Sequence, residues 1–169
     1  MEEPYISKNQ IALAGEFAVL SRLALHGFDA NMTLGNTKSV DILLSHPGTG
    51  RMCKLEVKTH LNNHPYHSND FGDVVARWHM GEKNETISSP DLFYCFVSIR
   101  EGDHHLDFYI VPSERVARFV RDSHSYWLDG GADRNDTQMR VFMLGKKGEN
   151  YTFDMPFAED YQSRWDLMR

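Results

Sequence analysis

The sequence predicts an α/β domain in which helices flank a central mixed β-sheet. Three observations predict it: a long helix with an apolar stripe opens the chain, a run of short strands follows, and a second amphipathic helix comes after them. The 169 residues suit one domain, with neither internal repeats nor a composition break that would mark a linker. A chain of this size buries roughly 70% of its unfolded surface and needs no covalent or metal staple to fold.

The first helix is expected over residues 8–26. Ser7 stands as its N-cap, and Gln10, three residues on, completes a capping box. Ile11, Ala14, Ala18 and Leu25 recur at helical spacing, with Leu13, Phe17, Leu20 and Ala24 widening the stripe, and Gly27 suits the C-terminal cap. Phe28–Met32 reads as a first strand and Asn36-Thr37-Lys38 as a turn. Val40–Leu44 is short and apolar apart from Asp41, and His46-Pro47-Gly48-Thr49-Gly50 is a turn. Met52–Lys58 alternates, with Cys53, Leu55 and Val57 on one side and Lys54, Glu56 and Lys58 on the other, so the two strands read as a hairpin.

Residues 59–91 are polar and carry no clear element, although Val74–Met80 fits either helix or strand. Leu92–Ile99 is a strand, Glu101-Gly102-Asp103 a turn, and Leu106–Val111 the partner strand. Pro112-Ser113 opens the second helix, whose apolar face is Val116, Ala117, Phe119 and Val120. Residues 129–138 are loop, Met139–Leu144 and Tyr151–Phe153 are candidate late strands, and the tail 161–169 reads as a short helix anchored by Trp165.

Composition narrows the function. The net charge of -6 counts against passive nucleic-acid binding through a broad basic surface. It leaves open a site of carboxylates neutralised by a divalent cation. Cys53 and Cys95, each inside an apolar run and without a CxxC pair, read as buried thiols. The opening MEEPYISKNQ lacks a hydrophobic signal core, and no stretch approaches the ~20 apolar residues of a membrane span. The expectation is a reduced, cytoplasmic protein with no membrane partner.

The hairpin places acids together. With a loop over residues 46–50, residue 45 faces residue 51, which sets Asp41 against Leu55; a slip of one residue sets it against Glu56. Directly opposed residues have Cβ atoms ~5 Å apart. Two carboxylates at that distance among Ile42, Leu43 and Leu55 repel each other and call for a compensating cation. Lys58, two residues from Glu56 on the same face, supplies one, and a hard divalent metal is a second.

Asp41, fourteen intervening residues and then Glu56-Val57-Lys58 resemble the D-(x)n-(D/E)-x-K signature of the PD-(D/E)XK nucleases. Gly15-Glu16 on the preceding helix resembles the extra acidic position of that superfamily, as in Holliday-junction resolvases and restriction-endonuclease-like proteins. Val40 stands where the motif's proline would be. The resemblance covers residues 7–60 and implies a three-layer restriction-endonuclease-like core. It further implies Mg²⁺ or Mn²⁺ held by Asp41, Glu56 and the Val57 carbonyl, with catalytic roles for Glu16, Asp41, Glu56 and Lys58. The implied activity is a metal-dependent DNA endonuclease, with a homodimer expected by analogy. The alternative is a catalytically inactive module of the same fold that binds nucleic acid or a protein. A third reading takes the acids as structural: Glu16 as a solvated helix residue, Asp41 as a turn cap, Glu56 and Lys58 as edge-strand surface charges.

His60, His64 and His67 have helical spacing, but Pro65 and the Asn62-Asn63 pair argue against a helix there, so a polar loop is expected ahead of a zinc site. Lys8, Lys38, Lys54, Arg77 and Lys83 are candidates for tracking a nucleic-acid backbone, and Tyr66 and Trp78 for stacking on bases, with core packing as the alternative for both aromatics.

Overall fold

The computed structural model describes residues 5–33, 40–61 and 63–169. The expected turn at 36–38 and Lys38 lie outside them. Eight strands and three α-helices follow the order α1 (Lys8–Leu25), β1 (Asp29–Met32), β2 (Ile42–Ser45), β3 (Met52–Leu61), β4 (Tyr66–Ser68), β5 (Gly72–Gly81), β6 (Leu92–Ile99), β7 (Leu106–Pro112), α2 (Ser113–Asp129), β8 (Met139–Gly145) and α3 (Ala158–Tyr161). Single 3-10 turns at Glu82–Glu85 and Trp165–Met168 complete it.

The central sheet has the order β1-β2-β3-β6-β7 and is mixed, because β3 and β6 run parallel while its other pairs are antiparallel. Strand β6 is buried along its whole length, as a parallel central strand covered on both faces must be. Its alternation sorts the core into two. Phe93, Cys95, Val97 and Ile99 meet Val19 and Leu23 of α1, together with Trp165 and Met168 of the tail. Tyr94 and Phe96 face the other way, onto Trp78 of β5, Phe142 of β8 and Phe119 of α2. Phe96 stacks on Phe142 with ring centroids 4.3 Å apart. The α/β class with a central mixed sheet flanked by helices therefore holds. What the sequence did not announce is that α2 shares its layer with a second, antiparallel sheet, β4-β5-β8.

That second sheet corrects the reading of residues 59–91 as unassigned polar chain. Strand β3 continues to Leu61, and β5 buries Val74, Ala76, Trp78 and Met80 on one face in strict alternation. Arg77 and His79 on the opposite face made the segment look polar. Trp78 is only 1% exposed and its Nε1 donates to the Val97 carbonyl at 2.9 Å, so it is a core residue and is closed to base stacking. Tyr151–Phe153 is not a strand either. Phe153 leaves the sheet to pack edge-on against Phe71 and Phe119, while the Tyr151 hydroxyl accepts from the Lys146 amide and donates to the Asp73 carbonyl.

Helix α1 starts and stops where its caps require. The Ser7 hydroxyl accepts from Gln10 N at 3.3 Å, Gln10 Oε1 accepts from Ser7 N at 2.9 Å, and Gly27 takes the left-handed φ of +81° just past the last turn. Gly15 sits mid-helix for a different reason. A Cβ built there would fall 1.8 Å from Thr59 Oγ1, so α1 lies directly on β3 at that point. This contact presents the next residue, Glu16, to the end of the β2–β3 pair.

Candidate functional site

The β2–β3 register pairs Ile42 with Leu55 and Ser45 with Met52 and stops there; Asp41, the next residue, lies beside the Leu55–Val57 stretch of β3 that carries Glu56. Of the two registers the hairpin allowed, residues 42–45 take the slipped one, with Ile42 and not Asp41 paired to Leu55. Strand β2 ends at Ile42, and Asp41 then finishes the ladder with its side chain: its backbone N–H donates to the Leu55 carbonyl at 2.9 Å, and Oδ2 accepts from Val57 N at 2.7 Å. The Val57 carbonyl lies on the same strand edge as its N–H, since a strand residue turns both groups toward one neighbour.

Glu56 is 2% exposed. Its Oε1 pairs with Lys58 Nζ at 2.5 Å, while Oε2 is buried with no hydrogen-bond partner among the described residues. The adjacent Tyr94 phenol accepts from Asn84 Nδ2 at 2.9 Å and faces the Glu56 carboxylate, too loosely placed to satisfy Oε2; burial first, then the Glu56 charge, hold it protonated. Burial raises the Asp41 carboxyl above its usual range, and Glu56 adds to the rise against the Val57 hydrogen bond and the Lys58 and Lys83 charges. Burial likewise raises Glu16, followed by the Asp41 charge, with Lys58 opposing. Glu16, Asp41, Glu56 and Lys58 thus lie within electrostatic reach of one another, brought from a helix, a strand end and one long strand.

Among the described residues no three His, Cys, Asp or Glu side chains are grouped closely enough to enclose an ion. The donors at hand are two neighbouring carboxylates, one of them with a buried oxygen lacking a partner among the described residues, and a main-chain carbonyl. That set fits a hard divalent cation of the Mg²⁺ type, which keeps several waters and takes only one or two protein carboxylates. It does not fit zinc, which seeks four closed ligands including nitrogen or sulfur. The histidines are engaged separately: His60 Nδ1 donates to the Arg77 carbonyl at 2.8 Å, His67 pairs with Asp73 at 2.6 Å, and His64 approaches Glu101 at 3.9 Å.

No protein-family model and no curated protein matches the chain. Among solved structures it is similar to a bacterial homing endonuclease, I-Ssp6803I, with a TM-score of 0.51 over 96% of this chain and 91% of that one, at 15% identity. At that identity the likeness is one of fold. The fold is nuclease-like.

Sequence reasoning missed several residues around these acids. Thr59, whose hydroxyl is buried without a partner among the described residues and fills the notch left by Gly15, is one of them; an isolated glycine inside a helix is the signal that points to it. Tyr94 beside Glu56 depends on the β3–β6 register, which pairs the two and has no local signature. Of the basic candidates, Lys54 is taken up by Asp91 at 3.0 Å, and Arg77 lies over the Tyr66 ring at 4.8 Å from its centroid. Among the described residues no helix is long and apolar enough to cross a membrane.

Proposed function

We propose that this chain is a metal-dependent endonuclease of the PD-(D/E)XK type that hydrolyses phosphodiester bonds in DNA. The observation that carries the reading is the Asp41 carboxylate held on the Val57 amide within electrostatic reach of a buried Glu56, one of whose oxygens has no hydrogen-bond partner among the described residues. Two acids confined in this way cost stability unless a cation joins them. The likeness in fold to a homing endonuclease supports the choice of DNA as substrate.

Asp41, Glu56 and the Val57 carbonyl would hold Mg²⁺ or Mn²⁺, which would supply polarisation of the phosphate and a more acidic water. Asp41 stays oriented by the Val57 N–H. Lys58, paired with Glu56 in this structure, would place its ammonium beside the charge that develops on phosphorus or on the attacking oxygen. Glu16, whose raised pKa keeps it more basic than a free carboxylate, accepts a hydrogen bond from water at the helix side of the site.

The test is cleavage of a panel of supercoiled plasmid, single-stranded DNA, four-way junction and RNA with Mg²⁺ or Mn²⁺, run beside Lys58→Ala. The wild type is expected to cut DNA, and the variant to lose about 10²- to 10³-fold in rate. Equal cleavage by both refutes the assignment of Lys58. Binding without cleavage by the wild type makes the chain a nucleic-acid-binding module of the same fold.

A further inference from the structure

Beyond Asp41, strand β3 runs on without β2. The β2 pairing stops at Leu55, whereas β3 extends to Leu61, so among the described residues one edge of β3 is unpaired past Val57. Val57 N points to that edge and Lys54 N points to the β6 side, where it donates to the Asp91 carbonyl. By the alternation of a strand, the N–H groups of Thr59 and Leu61 point to the open edge with that of Val57. The first turn of α1 and strand β5 flank this edge and enclose a cleft of about 470 Å³.

Among the described residues the ionisable groups lining the cleft are Lys8, Lys58, His60 and His79, with no carboxylate. Neither Lys8, His60 nor His79 pairs with an acid among the described residues, so in a chain of net charge -6 the gathering is locally unbalanced. His79 reports that imbalance. Its pKa is lowered by burial and then by the Arg77, His60 and Lys8 charges, which are all repulsive to its protonated form. The Nδ1 of His60 is committed to the Arg77 carbonyl, which leaves Nε2 for the cleft. Lys58 and His60 lie two residues apart on one strand, ~6.6 Å along it.

We propose that this cleft is a subsite for a backbone phosphate of nucleic acid, the one neighbouring the phosphate held at Lys58. The proposal rests on reading the Asp41–Glu56–Lys58 centre as a nuclease site. The main-chain N–H groups on the open edge of β3 supply directed donors, and Lys8 supplies the charge. Such contacts position the strand without reading its sequence. They also explain how an acidic protein holds a polyanion, by a local cationic cleft and not by its overall field.

The experiment is an anisotropy titration of a labelled mixed-sequence DNA duplex with EDTA present, so that binding is read apart from cleavage, across a salt series. Lys8 and His79 are exposed, so Lys8→Gln and His79→Gln leave the fold intact. Lys8→Gln is expected to reduce the salt slope by about 0.9 and to weaken binding roughly eightfold at 0.1 M salt, the loss of one phosphate contact. His79→Gln is expected to weaken binding with a smaller change of slope, and Lys146→Gln, at the exposed end of β8, to change neither. Unchanged binding in Lys8→Gln, an equal loss in Lys146→Gln, or no duplex binding by the wild type overturns the subsite. Cleavage with no effect at Lys8 sinks the subsite and spares the nuclease reading; an effect at Lys8 with no cleavage under any metal does the reverse.

Discussion

Gly15→Ala tests the link between helix packing and the site. The added Cβ would lie 1.8 Å from Thr59 Oγ1, 2.9 Å from Thr59 Cβ and 3.0 Å from Cγ2. Rotating Thr59 moves the hydroxyl and the methyl but leaves its Cβ in place, so α1 has to back off β3 by at least about 0.5 Å to restore ordinary contact, which begins at 3.4 Å. Overpacking of this kind costs about 1–3 kcal/mol. Replacing a mid-helix glycine by alanine returns about 1 kcal/mol of helix propensity. The expected net loss is about 1 kcal/mol, a fall in Tm of about 2–4 °C for a chain of this length. Urea melts of Gly15→Ala, Thr59→Ala and the double variant measure it. Thr59→Ala removes the two atoms that can be removed, so the double variant should recover about 1 kcal/mol of coupling. Because Glu16 moves with the helix, cleavage by Gly15→Ala should fall by more than its stability does, approaching 10²-fold for a displacement near 1 Å. A variant more stable than wild type, with no coupling to Thr59, would refute the close helix–strand contact as the reason for the glycine.

Asp41→Asn should stabilise the fold at neutral pH by about 0.5–2 kcal/mol while abolishing metal-dependent activity. The sign follows from the raised carboxyl: the stability it contributes is fully present below the unfolded carboxyl's pKa and is lost as pH rises through the folded one, so the gain of the Asn variant shrinks to nothing on acidification. Chemical denaturation of both proteins across the acid-to-neutral range checks it, and a gain that persists in acid contradicts the electrostatic cause. Trp78→Phe should cost about 2 kcal/mol, because it leaves the buried Val97 carbonyl without its donor and opens a gap beside Phe96. A loss below about 0.5 kcal/mol in urea melts would mean that the indole is not part of the core.

How much was legible varied with the range of the forces involved. The caps of α1, the turn at 46–50, the alternation of β3 and the apolar run of β6 are local signals, and each predicted an element that the structure contains. Pairing beyond neighbours left no such mark. Strand β5 finds β8 more than fifty residues on, and the face of Val74, Ala76, Trp78 and Met80 becomes interior only by packing on Tyr94, Phe96 and Tyr109 of the central sheet. The hairpin left Asp41 opposite either Leu55 or Glu56, since loop length alone does not decide a one-residue slip. The burial of Ile42 and Leu44 decides it, because the alternative register would turn both to the wrong face.

The shortness of β2 has two consequences that are easily taken as separate. A longer β2 would offer Val57 N–H a main-chain acceptor; instead the Asp41 carboxylate takes that place, and the acid stands at the boundary where paired sheet becomes open edge. The same boundary exposes the Val57 carbonyl, the remaining β3 amides and the cleft beyond them. Asp41 is therefore a strand terminator as well as a candidate ligand, and the two roles separate by substitution. Asp41→Asn keeps an acceptor for Val57 N–H, while Asp41→Ala strands that donor at a cost of about 1–3 kcal/mol. If the alanine variant is about as stable as the asparagine one, the carboxylate is not closing the ladder. If the alanine variant alone is destabilised and both are inactive, the chain uses one side chain to end a strand and to begin a site.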